Sequence, residues 1–358
     1  MTLDFIRELV LRDRIFLVLA IVITVALILV ILFALFTIYL RLRNLRKSRR
    51  WQALEARWEP LLLALITGDT TPEQIQNQVE PGQNLFFVDF VLRFAQRLRG
   101  VEAAIITALA KPYLPQLQAR IHQADPARRA RAIRTLSILA LEEYYPDIIN
   151  ALDDDSPLVA MIAARALARE DHPEFAGEIL ARMHRFANWS QSYLASLLTS
   201  LGPAVTPDLR AALTDSGNET FVRVVAADAL RSLDDLATAD IAAQVLSEEQ
   251  DRELVAACLR VLAAVGRPQH LEPVRRLCTS GDSMIRAQAL RALGSLGGPE
   301  DIHLMEQAIA DESPWVGLHA ARGMLTSGGE ERLYVLAASE HPARELARQV
   351  LMESSASA

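Results

Sequence analysis

The chain has 358 residues, of which 51% are hydrophobic and 6% are aromatic, and its formal net charge is −7. The charge is unevenly placed, because residues 1–50 hold nine basic and three acidic side chains, which leaves −13 for residues 51–358. Nucleic-acid binding needs a basic surface that displaces phosphate counterions, so the acidic part of the chain excludes a general nucleic-acid-binding function.

The first predicted element is a membrane-spanning helix at residues 15–40. This segment of 26 residues contains no charged side chain, and at about 1.5 Å per residue a helix of that length crosses the hydrocarbon core of a bilayer. It is apolar on every face, unlike a core helix of a soluble protein. It is also longer than the apolar part of a cleaved signal peptide, and no small-residue cleavage site follows it. The segment is therefore predicted to be a membrane anchor.

The segment after the anchor, residues 41–50, is strongly basic and predicts the orientation. Residues 1–14 carry no net charge, whereas residues 41–50 contain six basic and no acidic side chains. Basic flanks stay in the cytoplasm, so residues 1–14 are predicted to be extracytoplasmic and the rest of the chain cytoplasmic. The same basic side chains are suited to contacts with anionic lipid head groups. They are Arg41, Arg43, Arg46, Lys47, Arg49 and Arg50.

Residues 51–111 are predicted to form a helical linker that also caps a repetitive region beginning at residue 112. One helix continues from the membrane between Trp51 and Ile66, and a second covers about residues 84–98. Two interpretations of the phenylalanines in the second helix are open. Their rings cover the exposed end of the first repeat, since a solenoid needs a terminal cap, or they form a membrane-proximal docking face for a neighbouring membrane subunit. These residues are Phe86, Phe87, Phe90 and Phe94.

From residue 112 to residue 352 one apolar pattern recurs about every 31 residues. An apolar residue at position 0 is followed on the same helical face by positions +3, +4, +7 and +8. A helical period inside a fixed longer period indicates a helical solenoid. One clear copy is Val222, Val225, Ala226, Ala229 and Leu230, and the copies start at residues 128, 159, 189, 222, 254, 285, 316 and 343.

Each copy is bounded by helix start and stop signals. Side chains that cap helix N-termini precede it, as in the turn at residues 153–157, and glycine followed by proline ends it, as at Gly202 and Pro203. A shorter amphipathic segment lies before each such turn, for example at residues 207–213. The repeating unit is therefore predicted to be a hairpin of two helices.

Four stretches carry a resemblance to a known family: DDSPLVAMIAARALA, NETFVRVVAADALRSL, GDSMIRAQALRALGSLG and DESPWVGLHAARGML. They resemble the short bacterial class of HEAT repeats that was first noticed in phycobilisome lyases. The resemblance implies an all-α fold, a right-handed α-solenoid of HEAT-like helical hairpins, here preceded by one transmembrane helix. It also implies a scaffold or binding surface. A lyase-like or chaperone-like activity on a modified or chromophore-bearing protein is the alternative.

A search for catalytic or ligand-binding motifs finds none. The chain lacks GxxxxGK[ST], HExxH, CxxC and GxSxG, and its seven histidines are scattered. The glycine-rich string at residues 294–298 has no following lysine and is interpreted as a turn that ends a helix. Cys258 and Cys278 are interpreted as packed side chains rather than as a disulfide or a metal pair. The protein is predicted not to be an enzyme and to hold no cofactor or metal ion.

Arginine recurs at position +6 of the pattern, and equivalent positions of stacked repeats should align as a ladder. Position +1 adds Arg129, Arg223, Arg286 and Arg344. Two interpretations are open: the arginines pair with the acids of the turns as a structural array, or they bind an acidic segment of a partner. The candidate partner-binding residues are Arg134, Arg165, Arg223, Arg260, Arg286, Arg291 and Arg322.

The sequence predicts a membrane-anchored scaffold or adaptor that binds one or more protein partners on its cytoplasmic repeats. Its place would be the bacterial inner membrane, as an accessory subunit of an envelope complex in glycan synthesis, export or signalling. The polar residues 353–358 are predicted to be a disordered tail. The oligomeric state is left open.

Overall fold

The computed structural model describes residues 2–80, 82–95, 100–138 and 141–357. Every regular element within these ranges is a helix, in agreement with the predicted all-α class. The chain divides into two compact units, Met1–Leu114 and Pro115–Ala358.

The first unit is built on one long helix. Helix α1 spans Thr2–Thr67 and ends where Gly68 adopts a φ of +84°, the left-handed conformation common just after a helix. The core lies where α1 meets α3, since the rings of Trp58 and Phe87 are 5.2 Å apart at an interplanar angle of 80°, a favourable edge-to-face geometry. The other helices of this unit are α2 (Pro72–Gln76), α3 (Asn84–Ala95) and α4 (Val101–Ala110).

The apolar part of α1 is exposed wherever its side chains are described. All side chains from residue 24 to residue 43 are exposed, although they include many valines, leucines and isoleucines. Within the described residues, the stretch Thr24–Thr67 is long and apolar enough to cross a membrane, with a mean hydropathy of 2.6 in its most apolar window. This result rests on length and composition.

The second unit consists, in its described part, of consecutive helical hairpins. The second helix of each hairpin carries the predicted apolar pattern, and we call these the pattern helices. The first helices are α5 (Leu114–Ile121), α7 (Tyr145–Asn150), α9 (Ala176–Ala181), α11 (Thr206–Thr214), α13 (Thr238–Glu248), α15 (Leu271–Leu277), α17 (Ile302–Ala308) and α19 (Glu330–Ala338). The pattern helices are α6 (Pro126–Ile138), α8 (Pro157–Leu167), α10 (Gln191–Thr199), α12 (Thr220–Ser232), α14 (Arg252–Val265), α16 (Ser283–Leu296), α18 (Pro314–Thr326) and α20 (Arg344–Ser357).

The pattern helices begin at the predicted capping residues. Asp251 and Asp282 are the N-caps of α14 and α16, and each carboxylate accepts hydrogen bonds from two backbone N–H groups of the first turn. Pro157 and Pro314 stand at the start of α8 and α18, where the missing N–H of proline costs no hydrogen bond. Local sequence therefore sets where each pattern helix starts.

Neighbouring pattern helices pack side by side. Helix α6 packs against α8, and α10, α12, α14, α16, α18 and α20 pack in series. The approach of α16 to α18 is especially close, because a Cβ added to Gly294 would lie 2.6 Å from the Cα of Gly323. In addition, the Thr326 hydroxyl donates a hydrogen bond to the carbonyl oxygen of Gly294 at 2.7 Å. Gly294 thus lies inside α16, and the predicted turn begins only after Leu296.

The predicted disordered tail at residues 353–358 is wrong for the residues described there, because α20 continues to Ser357. Two side-chain hydrogen bonds hold the last turns of this helix. The Glu353 carboxylate accepts one from Arg322 at 2.8 Å and one from Gln349 at 2.9 Å.

Two copies of the pattern begin later than predicted. The hydroxyl of Ser190 caps α10 by accepting a hydrogen bond from the Tyr193 N–H, and Ala195 is buried, so this copy starts at residue 190. In α20, Ala347 and Val350 are buried at positions 0 and +3, so the last copy starts at residue 347.

Candidate partner-binding face

The exposed face of each pattern helix is formed by positions −1, +3, +6 and +10, which recur every three or four residues along one side of a helix. The opposite side faces the core, as Ala289 and Leu293 do in α16. Residues 31 or 32 apart in the chain meet across neighbouring pattern helices, as Thr326 meets Gly294. Each position therefore forms a row across the second unit.

Position +6 forms what we call the arginine row. In chain order it comprises Arg134, Arg165, Ser196, Asp228, Arg260, Arg291, Arg322 and Glu353. Three of its arginines, Arg134, Arg165 and Arg291, are exposed. Within the described part of the chain, the side chains of these three make no hydrogen bond or ion pair. Their guanidinium groups are open to a partner.

The other two arginines of the row are each paired with an acid of the same row. Arg260 holds Asp228 through two hydrogen bonds of 3.0 and 2.8 Å. Arg322 donates to Glu353 at 2.8 Å, and this hydrogen bond lowers the pKa of the Glu353 carboxyl. An arginine of the row can therefore hold a carboxylate that comes from the neighbouring step.

Arginines at position +1 have a different role. The Arg286 guanidinium donates two hydrogen bonds to the Asp311 carboxylate, at 2.9 and 2.8 Å. It also donates to the carbonyl oxygens of Ser280 and Gly281, at 2.8 and 3.2 Å. Its side chain is only 19% exposed. Arg286 thus fastens the turn before α16 to the turn before α18, and it leaves the partner-binding set.

The same clamp recurs in other repeats. Arg129 donates two hydrogen bonds to Asp154, both at 2.7 Å, across the same 25-residue separation. Arg223 donates to Glu249 at 2.7 Å across 26 residues, and its side chain is 10% exposed. Arg223 therefore also leaves the partner-binding set. The predicted structural array of arginines and turn acids holds at position +1.

Position −1 forms a second row, which sequence reasoning missed and which we call the apolar row. Leu158 and Trp315 are 49% and 69% exposed. The signal was present as a 31- or 32-residue spacing. It was overlooked because an apolar residue beside an apolar position 0 is usually taken as part of the core. The members of the row are Ala127, Leu158, Trp189, Phe221, Glu253, Met284, Trp315 and Leu346.

Between the two rows, position +3 of α16 and α18 is polar. Burial, together with the charges of Arg291 and Arg322, lowers the pKa of His319 below its usual value of 6.5. The His319 ring is therefore neutral at pH 7. The side-chain oxygen of Gln288, at the same position of α16, is buried and has no hydrogen-bond partner in the described residues.

The predicted docking phenylalanines of the first unit divide into buried and partly exposed rings. Phe87 and Phe90 are 1% and 2% exposed and pack on Trp58, so they belong to the core of this unit and cannot contact a partner directly. Phe86 and Phe94 are partly exposed.

A small cleft lies beside Phe94 in the first unit. Its volume is about 230 Å³, and Glu55, Glu59, Phe90, Arg93 and Phe94 line it. Arg93 forms an ion pair with Glu55 across the cleft, so the cleft already satisfies its own cation. We interpret it as a gap between α1 and α3.

The basic segment after the apolar run is exposed along α1. The side chains of Arg41, Arg43, Arg46, Arg49 and Arg50 are all exposed. The side chain of Lys47 lies outside the described residues.

One titratable cluster was not predicted from the sequence. The Tyr145 hydroxyl lies 2.7 Å from Nε2 of His172, and Nδ1 of His172 lies 2.9 Å from the Glu174 carboxylate. Burial raises the pKa of Tyr145. Because the ring of Tyr145 also packs on Phe175 at 4.8 Å, we interpret the cluster as a structural link between hairpins.

The remaining candidate ligands do not converge. Cys258 and Cys278 are buried and unpaired, and burial raises the pKa of each thiol to about 12. No group of three or more His, Cys, Asp or Glu side chains suited to a metal ion is found among the described residues.

Comparison with known proteins identifies the repeats. A family model described as HEAT repeats matches residues 239–326, which lie in α13 to α18. No curated protein matches the chain. The second unit is therefore an all-helical repeat structure that contains HEAT repeats, a class that provides interaction surfaces for other proteins.

Two solved structures illustrate the likeness in fold. The karyopherin Kap121p is 14% identical, with a TM-score of 0.46 over 81% of this chain and 38% of that chain. An engineered protein is 18% identical, with a TM-score of 0.34 over 59% of this chain and 96% of that chain. The chain spans about two fifths of the karyopherin's length.

Proposed function

We propose that the protein is a membrane-anchored scaffold whose second unit binds a protein partner on the exposed face of its pattern helices. The observation that carries this proposal is the arginine row, in which Arg134, Arg165 and Arg291 are exposed and, among the described residues, unpaired. A guanidinium group presents a planar fork of donors that matches a carboxylate. Stacked repeats offer such groups at regular steps to an extended partner surface.

The arginine row stays open although the chain is acidic. Residues 51–358 carry a net charge of −13, yet the acids nearest the turns are already held by arginines at position +1, as Asp154 and Asp311 are. Because these carboxylates are fixed at the ends of the helices, the guanidinium groups of Arg134 and Arg165 remain available for acids of another protein.

The second part of the proposal is that residues 15–40 anchor the chain in a bacterial inner membrane. Apolar area exposed to water costs about 25 cal/mol per Å², and the described side chains of residues 24–40 are exposed. A bilayer would remove that area from water. The basic side chains of residues 41–50 favour a cytoplasmic location for the repeats.

An anchored scaffold acts by confinement rather than by chemistry. A partner held at the membrane surface meets other membrane proteins at a raised effective concentration. This suits a non-catalytic accessory subunit of an envelope complex in glycan synthesis, export or signalling. Among the described residues, no observation favours the lyase-like or chaperone-like alternative.

The test is partner recovery with the full chain in mild detergent, after cross-linking in the source membranes. The variant Arg165→Glu/Arg291→Glu reverses two open charges of the arginine row. The matched control is Arg267→Glu/Arg276→Glu, because these arginines are also exposed and the change in net charge is the same. Recovered proteins are quantified by mass spectrometry, and circular dichroism checks that each variant is folded.

The expected result is a protein recovered with wild type and control and depleted at least about tenfold with the row variant, which corresponds to about 1.4 kcal/mol of binding free energy. Equal recovery with all three chains would refute the arginine row as the binding face. Recovery of no saturable partner with wild type would refute the scaffold function itself.

A further inference from the structure

The arginine row and the apolar row come together on α16 and α18. In each helix positions −1 and +6 are seven residues apart, which is two turns or about 10 Å on one face. Packed helices lie about 8–10 Å apart, and the contact of Gly294 with Gly323 aligns the two helices. We call this area the α16–α18 patch and define it by Met284, Gln288, Arg291, Trp315, His319 and Arg322.

Trp315 is the most exposed large side chain of the patch. It is 69% exposed at the start of α18, and Met284 stands one step before it in the apolar row and is partly exposed. Tryptophan and arginine are the residues that most often dominate protein interfaces, because a large ring loses much water-exposed area at little entropic cost. The patch pairs such a ring with the open guanidinium of Arg291.

The arginine row itself shows what its guanidinium groups bind. Wherever an acid occupies the row, a neighbouring arginine takes its carboxylate, as Arg260 takes Asp228 and Arg322 takes Glu353. The Arg322–Glu353 pair is about half exposed, with side-chain exposures of 49% and 42%. Such exposed pairs contribute little free energy, so a carboxylate from a partner can replace Glu353 at small cost.

Charges at the edge of the patch give the bound segment an orientation. Glu312 is exposed one turn before Trp315, so carboxylates are repelled from the apolar row and attracted to the arginine row. The neutral Gln288 and His319 lie between the rows and repel neither charge. A ligand with apolar groups on one edge and acidic groups on the other complements this arrangement.

We infer that the α16–α18 patch binds a short segment of the protein partner in which aromatic or aliphatic residues alternate with Asp or Glu. The apolar residues contact Trp315 and Met284, and the acids accept hydrogen bonds from Arg291 and Arg322. In an extended chain about three residues cover the step between neighbouring helices, at about 3.3 Å per residue. This inference rests on the proposed scaffold function and specifies the chemistry of its partner.

The test uses the full chain in detergent micelles and a phage-displayed library of random 12-residue peptides. Peptides are selected on wild type, sequenced, and synthesised with a fluorescent label for anisotropy titrations. The test variants are Arg291→Glu and Trp315→Ala. Their matched controls are Arg276→Glu, an exposed arginine on the first helix of the same hairpin, and Tyr334→Ala, which alters another exposed ring.

The expected result is enrichment of peptides that contain both acidic and large apolar residues. Their affinity should fall at least about tenfold, or about 1.4 kcal/mol, with each test variant and change less than about twofold with each control. Three results overturn the inference: no enrichment over empty micelles, enrichment of basic peptides, or binding that survives Trp315→Ala.

The co-purification experiment separates failure of the inference from failure of the scaffold. A partner that is lost with Arg165→Glu/Arg291→Glu but fully retained with Trp315→Ala leaves the scaffold function standing and refutes the α16–α18 patch. Because Trp315 is exposed, its replacement leaves the core intact, and circular dichroism verifies this.

Discussion

The place of an arginine within a pattern helix decides what it can bind. At position +1 the side chain is within reach of the carbonyl groups of the preceding turn and of the acid in the next turn, as with Arg286 and Asp311. At position +6 the nearby carbonyl groups accept hydrogen bonds of the helix itself, so only other side chains remain. Arg291 finds none among the described residues. One residue type therefore serves both stability and recognition.

This difference predicts opposite effects on stability. Arg286→Gln should lower the free energy of unfolding by about 1–3 kcal/mol, because the Asp311 carboxylate loses two donors. Arg291→Gln should change it by no more than about 0.5 kcal/mol, as is usual for an exposed side chain. Urea unfolding followed by circular dichroism measures both. Equal losses in the two variants would contradict the separation of roles.

The clamp also predicts a pH dependence. Hydrogen bonds from Arg286 lower the pKa of Asp311, so the folded state favours the carboxylate. The stabilisation is complete above the ordinary aspartate pKa of about 3.9 and is lost as the pH falls through the lower, folded-state pKa. The stability difference between wild type and Arg286→Gln should therefore be constant between about pH 7 and pH 5 and shrink below about pH 4. A difference that grows on acidification would count against the clamp.

At the scale of helices, glycine determines how closely α16 and α18 approach. Gly294→Ala should destabilise the second unit by about 1–3 kcal/mol, since the added Cβ meets the backbone of Gly323 rather than a movable side chain. Gly177→Ala in α9 is the control, because nothing lies within 4 Å of its Cβ position and alanine favours a helix. Urea unfolding should separate the two variants. A neutral Gly294→Ala would mean that the helices can shift apart freely.

The helical period and the cap residues were enough to predict the hairpins, because both depend on neighbours within a few residues. Asp282 and Pro314 begin helices as their local chemistry requires. Gly294 was misread for the opposite reason. Local rules place a glycine near a helix end in a turn, whereas the contact with Gly323 comes from the next repeat.

The candidate face was only partly predictable, because a row needs the register of every repeat. Position +6 was identified in five copies, but Ser196 and Glu353 joined the row only after the structure showed where α10 and α20 begin. Arg223 and Arg286 looked like surface residues. Their acids are 26 and 25 residues away, and no local pattern reveals such a contact.

At the scale of the whole chain, the proposed topology connects the basic segment to the place where a partner is bound. If residues 41–50 lie in the cytoplasm, the repeats that follow them lie there too, and any partner must be a cytoplasmic protein or have a cytoplasmic segment. The chain provides a clean background for cysteine labelling. Cys258 and Cys278 are buried, with each thiol pKa raised to about 12, so neither reacts readily with a maleimide near pH 7.

Single cysteines at the two ends of the chain therefore report the topology. In spheroplasts, a membrane-impermeant maleimide should label Thr2→Cys, whereas Ser355→Cys, at an exposed position of α20, should be labelled only after lysis. Replacing the six basic residues of segment 41–50 with glutamine should reduce this asymmetry, because basic residues next to a membrane span set its orientation. Labelling of Ser355→Cys before lysis would place the repeats outside the cytoplasm. Recovery of the chain in the soluble fraction after lysis would contradict the anchor itself, and the pattern-helix face would then bind its partner away from a membrane.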